Sequence, residues 1–269
     1  MDDHHTRLPW EEAGWLDEVT AWIEAQVARH GWRLMGPVEV VHQRPWSAFL
    51  QVESEQGRLY FKAPAPGSEY EAALTEALAR WHPECTVPLV AVEPSQGWIL
   101  SRHAGVTFRG HLDTKEQLEH WVRLLPVYSE LQIDMARHVP ELLALGVPDR
   151  RLPAFAAQVA ALLRHSPNLY VGEEDGLTAM QHERLVALQP HIAAQALAAV
   201  GLPDTLSHEE IHENNVLLGE GRYLFTDWSD CSVAHPFFSW LVTRRSVAHW
   251  LKLDETGAEL TRLRDAYLE

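Results

Sequence analysis

The residues best suited to chemistry lie between His208 and Asp227. The stretch His208-Glu209-Glu210-Ile211-His212-Glu213-Asn214-Asn215 carries two readings. As H-E-x-x-H it sets two His at i and i+4. On a helix they would share one face and bind one Zn²⁺, with Glu209 activating water. As H-x-E-x-x-x-x-N, followed by Thr226-Asp227-Trp228, it supplies an acid, an amide and a second acid. Asn215 and Asp227 would then be hard oxygen ligands for Mg²⁺, which binds nucleotide phosphates. Glu210 would accept the proton of an attacking hydroxyl.

The flanking residues weigh against the helix that zinc needs. Leu202-Pro203-Asp204-Thr205 reads as a turn, and the pair Asn214-Asn215 is a poor helix interior. Val216-Leu217-Leu218 and Tyr223-Leu224-Phe225 surround Gly219-Glu220-Gly221, the pattern of a β-hairpin. No Gly stands three residues after His212 and no His six after it, so the extended zinc-protease form is absent. A loop ending at Asn215, with Asp227 just past a strand pair, suits phosphoryl transfer. His208 and His212 are then loop supports, and zinc hydrolysis is the third-ranked reading.

The elements upstream would have to position this loop. Apolar residues at Trp10, Trp15, Leu16, Val19, Trp22, Ile23 and Val27 predict a helix over 9–30. Strands are predicted at 38–41, 48–52, 59–63, 87–92 and 98–101, with a helix over 68–81. Lys62 closes the third strand, the position from which a kinase lysine contacts the α/β-phosphates. The turn His42–Ser47 has no glycine, and no G-x-x-x-x-G-K-[ST] occurs anywhere, which removes P-loop enzymes. Helices are predicted over 114–138, with a kink at Pro126, and over 153–163, 177–200, 235–251 and 254–268. Asp149-Arg150-Arg151 reads chiefly as a cap for the helix that follows it.

The ordered set Leu206-Ser207-His208-Glu209-Glu210-Ile211-His212, Asn215-Val216-Leu217-Leu218, Phe225-Thr226-Asp227-Trp228 and His235-Pro236-Phe237-Phe238 resembles the aminoglycoside phosphotransferase and choline kinase family. The resemblance implies an α+β, two-lobed, protein-kinase-like fold. A small antiparallel β N-lobe over 1–104 would bind nucleotide. A larger, mostly helical C-lobe over 105–269 would carry the catalytic loop and metal site. It implies ATP and Mg²⁺ as cofactors and a hydroxyl of a small molecule as phosphate acceptor. Lys62 would hold phosphates, oriented by Glu71, with Glu76 as the alternative partner. Ser47 would cover the phosphates, and the hinge near Ser101 and His103 would meet the adenine. Asn215 and Asp227 would hold the metal, with Glu210 as base. The family usually has Asp where this chain has Glu210, an acid one methylene longer. That departure keeps open a second reading, a nucleotide-binding regulatory protein with little or no transfer. Many relatives continue with further helices beyond a point like Glu269, so the resemblance implies either a short member or a truncated chain that lacks part of the acceptor pocket.

Composition sets the outer bounds. The chain has 269 residues, enough for a two-lobed enzyme with a sizeable core. Its 22 Lys and Arg against 38 Asp and Glu give a net charge of −16, which weighs against nucleic acid or an anionic membrane surface and suits a cationic acceptor. Cys85 and Cys231 are its two cysteines, far apart in sequence, so a reducing compartment is expected rather than a disulfide framework. The acidic start Met1–His5 has no apolar leader, and no apolar run approaches a membrane span. A soluble, cytoplasmic protein is expected.

Overall fold

The computed structural model of the chain describes residues 7–109, 111–165, 169–198 and 201–269. The acidic start Met1–His5 and the last two residues of the helix expected over 177–200 lie outside the described residues. Five strands form an antiparallel sheet in the order β1-β2-β3-β5-β4: β1 Glu39–Arg44, β2 Ser47–Ser54, β3 Gly57–Pro64, β4 Leu89–Glu93 and β5 Trp98–Arg102. Side chains alternate across a strand, so each strand sorts its residues between two faces. Ala48, Leu50 and Val52 of β2 and Leu59, Phe61 and Ala63 of β3 are buried in one apolar cluster. Trp15, Val19, Ile23 and Val27 of α1 (Trp15–Arg29), spaced four apart, close that cluster. Phe49, Gln51, Tyr60 and Lys62 are therefore sent to the opposite face, which looks into a cleft. Lys62 reaches the site because Phe61 and Ala63 are committed to the core.

Several local expectations change. Pro9 starts only a short 3₁₀ turn, Pro9–Glu11, and α1 begins after Gly14, whose left-handed φ of +88° separates them. The turn expected over His42–Ser47 is only Pro45-Trp46, because Arg44 already pairs with Ser47 across β1 and β2. A bulge between Val40 and His42 lets β1 run on past the expected end.

α2 (Tyr70–Trp81) crosses toward the second lobe. There α3 (Thr114–Met135) starts at a capping box between Asp113 and Glu116 and stays helical through Pro126. A 3₁₀ turn at Ala136–His138 leads into α4 (Val139–Ala144). Further α-helices among the described residues are α5 (Leu152–His165), α6 (Ala179–Ala198), α7 (Phe237–Leu251) and α8 (Ala258–Leu268). Trp121, Leu124, Tyr128, Leu131 and Met135 of α3 share one core with Leu206, Ile211, Phe225 and Trp228. The site loops are thus packed directly on the central helix.

Short strands fix those loops. β6 (Val106–Thr107) pairs with β8 (Val216–Gly219), which pairs with β9 (Arg222–Phe225). β7 (Thr205–Ser207) pairs with β10 (Ser232–Ala234), so Thr205 belongs to a strand rather than to the expected turn. Gly105 and Gly219 let the inter-lobe segment cross the end of β8; a Cβ on Gly219 would collide with the Ala104 carbonyl.

Candidate active site

The sheet and the C-terminal loops enclose a cleft of about 660 Å³. Lys62 Nζ lies 2.7 Å from Glu71 Oε1 and 2.5 Å from Asp227 Oδ1. One ammonium thereby joins β3, α2 and the segment after β9, the last of them 165 residues away. Glu71 is almost wholly buried, and its Oε1 also accepts the Trp228 backbone N–H at 2.9 Å. Glu76, the alternative partner, is exposed. Burial opposes the Lys62 charge, but the two carboxylates outweigh it and hold the amine protonated above its ordinary range. Burial likewise raises Glu71, against the pull of Lys62. Asp227 falls to about 2, because Lys62 and the Ser229 hydroxyl overcome the cost of burial.

The octapeptide is a loop of turns, not a helix. His208 is completely buried, and burial drops it to about 4, so it is neutral. Its Nε2 donates to the Thr226 carbonyl at 2.9 Å, and its Nδ1 accepts from the Glu210 N–H at 3.3 Å. Both ring nitrogens are thus taken by backbone, which leaves His208 no lone pair for zinc. Tyr128 Oη accepts the His208 N–H at 3.0 Å, tying the loop to α3. His212 Nδ1 accepts the Asn214 N–H at 3.3 Å. Among the described residues, no group of three His, Cys, Asp or Glu is arranged to hold a metal.

Asn215 Nδ2 donates to the Glu210 carbonyl at 3.0 Å, which fixes the amide and leaves its oxygen as the free end. Glu210 thus has both backbone groups held while its side chain is half exposed. Its carboxyl is raised by partial burial and by Asp230, and the Asp227 charge pushes the same way. Asn215 and Asp227 line the cleft together with Lys62, Ser47, Ser101 and His103. Glu210 is not among the lining residues and lies beyond Asn215. The His103 N–H donates to the Arg58 carbonyl at 2.9 Å, so that donor is already used within the sheet.

Several contributors escaped the sequence reading. Ser229 Oγ donates to Asp227 Oδ1 at 2.8 Å. Glu209 is held by Ser232 and by Arg150, so it is an anchor of the loop rather than a water activator. Asp149 engages the Arg151 N–H and guanidinium instead of the first N–H groups of α5, and Arg150 turns to the loop. Glu213 is buried against Arg109 and Ser246, with the Arg109 guanidinium 3.8 Å from the Trp250 ring centroid. Arg150 with Glu209, Glu209 with Ser232, and Glu213 with Arg109 and Ser246 lie far apart in the chain, so no local spacing marks them.

Solved structures match nearly the whole chain. A choline kinase from Streptococcus pneumoniae aligns over 93% of this chain and 80% of its own, with a TM-score of 0.60 at 11% identity. A macrolide 2′-phosphotransferase from Brachybacterium faecium covers 92% and 82%, with a TM-score of 0.58 at 17% identity. The chain has the two-lobed, protein-kinase-like fold. A choline/ethanolamine kinase family protein from Mesorhizobium loti aligns as well, over 94% and 75% at 18% identity with a TM-score of 0.57. No protein-family model and no curated protein matches the sequence.

Proposed function

We propose that the protein is an ATP-dependent phosphotransferase acting on a small-molecule hydroxyl, a member of the aminoglycoside phosphotransferase and choline kinase family. The observation that carries this reading is Lys62 bridging Glu71 and Asp227 between the lobes. A buried ammonium held by two carboxylates from distant parts of the chain is a costly arrangement, and phosphate binding gives it a purpose. The donor set suits Mg²⁺: Asp227 is a fully ionised carboxylate at the cleft, and Asn215 offers an amide oxygen. Asp227 and Asn215 would hold the metal, which when bound neutralises charge on the transferred phosphoryl group.

The residues of the chain do the rest. Lys62 turns its ammonium from Asp227 toward the α/β-phosphates, while Glu71 keeps it in the cleft. Phe49 and Tyr60 stand 5.3 Å apart in a near-parallel stack on the cleft face and give a flat roof for a purine. Ser47, at the start of β2 and on the cleft lining, would cover the phosphates, and the Ser101 and His103 segment of the same lining would border the base. Glu210, raised above the ordinary carboxylate range, is suited to accept the acceptor's hydroxyl proton. The acidic side chains of Glu210, Asp227 and Asp230 favour an acceptor carrying an amine. A cytoplasmic site of action fits the acidic balance of the chain, and among the described residues no helix is long and apolar enough to cross a membrane.

The position of Glu210 outside the cleft lining favours one rival, a nucleotide-binding regulator without transfer. The two separate on ATP turnover with a panel of aminoglycosides, amino alcohols, sugars and macrolides. The enzyme reading expects transfer to at least one acceptor, lowered about 10²- to 10⁴-fold in Glu210→Gln and abolished in Asp227→Ala. Nucleotide binding without transfer by the wild type, but with transfer by Glu210→Asp, establishes the rival.

A further inference from the structure

Asp227 has a backbone that needs support. It is a non-glycine residue at φ 63° and ψ 64°, in the left-handed region. Asp tolerates that region better than most L-residues, yet holding one there still costs free energy that surrounding contacts must offset. The surroundings come from the other lobe. Tyr70 and Glu71 are the first two residues of α2. Tyr70 Oη donates to the Ser229 carbonyl at 2.5 Å and lies 3.4 Å from the Cys231 carbonyl. Glu71 Oε1 takes the Trp228 N–H. Adjacent side chains on one helix thus grip the N–H and the C=O of adjacent residues on the loop. Ser229 passes the grip on, because its own hydroxyl donates to Asp227 Oδ1. Tyr70 also packs beside Gly146, past the end of α4, where an added Cβ would sit 3.5 Å from the Tyr70 Cβ.

We propose that Tyr70 is a positioning residue for Asp227, holding the 228–231 loop so that the Asp227 carboxylate is preset for a divalent cation. The proposal rests on the reading of Asp227 as a metal-binding residue. Tyr70 touches neither nucleotide nor metal and acts through Ser229. Its loss frees the Ser229 carbonyl, loosens the loop against α2 and blurs the aim of the carboxylate. Lys62 and the nucleotide roof stay as they are.

The test compares Tyr70→Phe with Tyr267→Phe in the full chain. Tyr267 donates comparable buried bonds, to Gln132 and to the Pro236 carbonyl, away from the cleft. The first readout is amide hydrogen exchange at Trp228 and Cys231 in protein free of nucleotide and metal. The second is ADP binding by calorimetry with and without Mg²⁺. Tyr70→Phe is expected to speed exchange at both amides about tenfold and to weaken Mg²⁺-dependent ADP binding about tenfold, the effect of one lost hydrogen bond. Its Mg²⁺-independent ADP binding is expected to match wild type, and Tyr267→Phe to move neither readout. If wild type shows Mg²⁺-dependent binding and Tyr70→Phe leaves both readouts unchanged, or Tyr267→Phe changes them equally, the proposal alone is overturned. If wild-type ADP binding ignores Mg²⁺, the reading of Asp227 fails, and the proposal with it.

Discussion

Replacing Lys62 by Met keeps the apolar stem and removes the charge between two carboxylates. The side chain of Glu71 is 2% exposed, that of Lys62 13% and that of Asp227 36%. Breaking a buried pair by removing one partner costs about 3–5 kcal/mol, because a charge is left uncompensated. Asp227 is open enough for water to screen it, so the lower end applies, about 3 kcal/mol at neutral pH. For a chain of this size that lowers Tm by roughly 6 °C. Glu71→Gln is milder, about 1 kcal/mol, since Lys62 keeps Asp227 and the Gln oxygen can still take the Trp228 N–H. The two variants also differ in pH response. Burial already raises Glu71, and Lys62 is the group that opposes the rise. Without Lys62, the folded-state value climbs further above the unfolded value of about 4.3. A folded value above the unfolded one gives stability that is present at low pH and lost as pH rises through the folded value. The Lys62→Met deficit is therefore expected to shrink as pH falls from about 8 toward 5. The assay is urea unfolding of variant and wild type across that range, read as the difference so that other groups cancel. A Lys62→Met protein as stable as wild type at pH 8, or one hurt less than Glu71→Gln, refutes the reasoning.

Other outcomes follow from the same geometry. His208 sits near a pKa of about 4 in the fold against about 6.5 unfolded, so stability is expected to fall by roughly 3 kcal/mol as pH drops from 6.5 to 4; His208→Gln should flatten that part of the pH–stability curve. Arg150 is nearly half exposed, so Arg150→Ala should cost no more than about 1 kcal/mol in thermal unfolding. Ser232→Ala, which strips a bond from a mostly buried Glu209 oxygen, should cost more than Arg150→Ala in the same assay. Transfer catalysed by Glu210 is expected to rise with pH through a value above the ordinary Glu range, and the rise should vanish in Glu210→Gln.

The parts of this site that could be read from sequence are those governed by period and spacing. Strand alternation in Leu59–Ala63 sends Lys62 to the face opposite the core, and the Gly219-Glu220-Gly221 turn fixes the hairpin that separates Asn215 from Asp227. Glu71 rather than Glu76 is what the family resemblance implies, and the fold separates the two, with Glu71 buried on the inner face of α2 and Glu76 exposed. Residues that act by contacts across the fold left no local mark. Tyr70 meets Ser229 at a separation of 159 residues, and Arg150 meets Glu209 at 59. Strands β7 and β10, three residues each, are too short for alternation to register. Pro9 signalled a helix start correctly in kind, but Gly14 moved the start of α1 to Trp15. The H-E-x-x-H look of the loop dissolves because Glu209 points to Ser232 and Arg150 and His208 to backbone.

The central claim is that Lys62, Asn215 and Asp227 form a site for a nucleotide with its magnesium. Calorimetric titration of ADP into wild type and Asp227→Asn, each with and without Mg²⁺, tests it most directly. Wild-type binding is expected to tighten at least tenfold with Mg²⁺, and Asp227→Asn to lose that gain. Wild-type protein that does not bind ADP, or an Asp227→Asn variant with an undiminished Mg²⁺ effect, would contradict it.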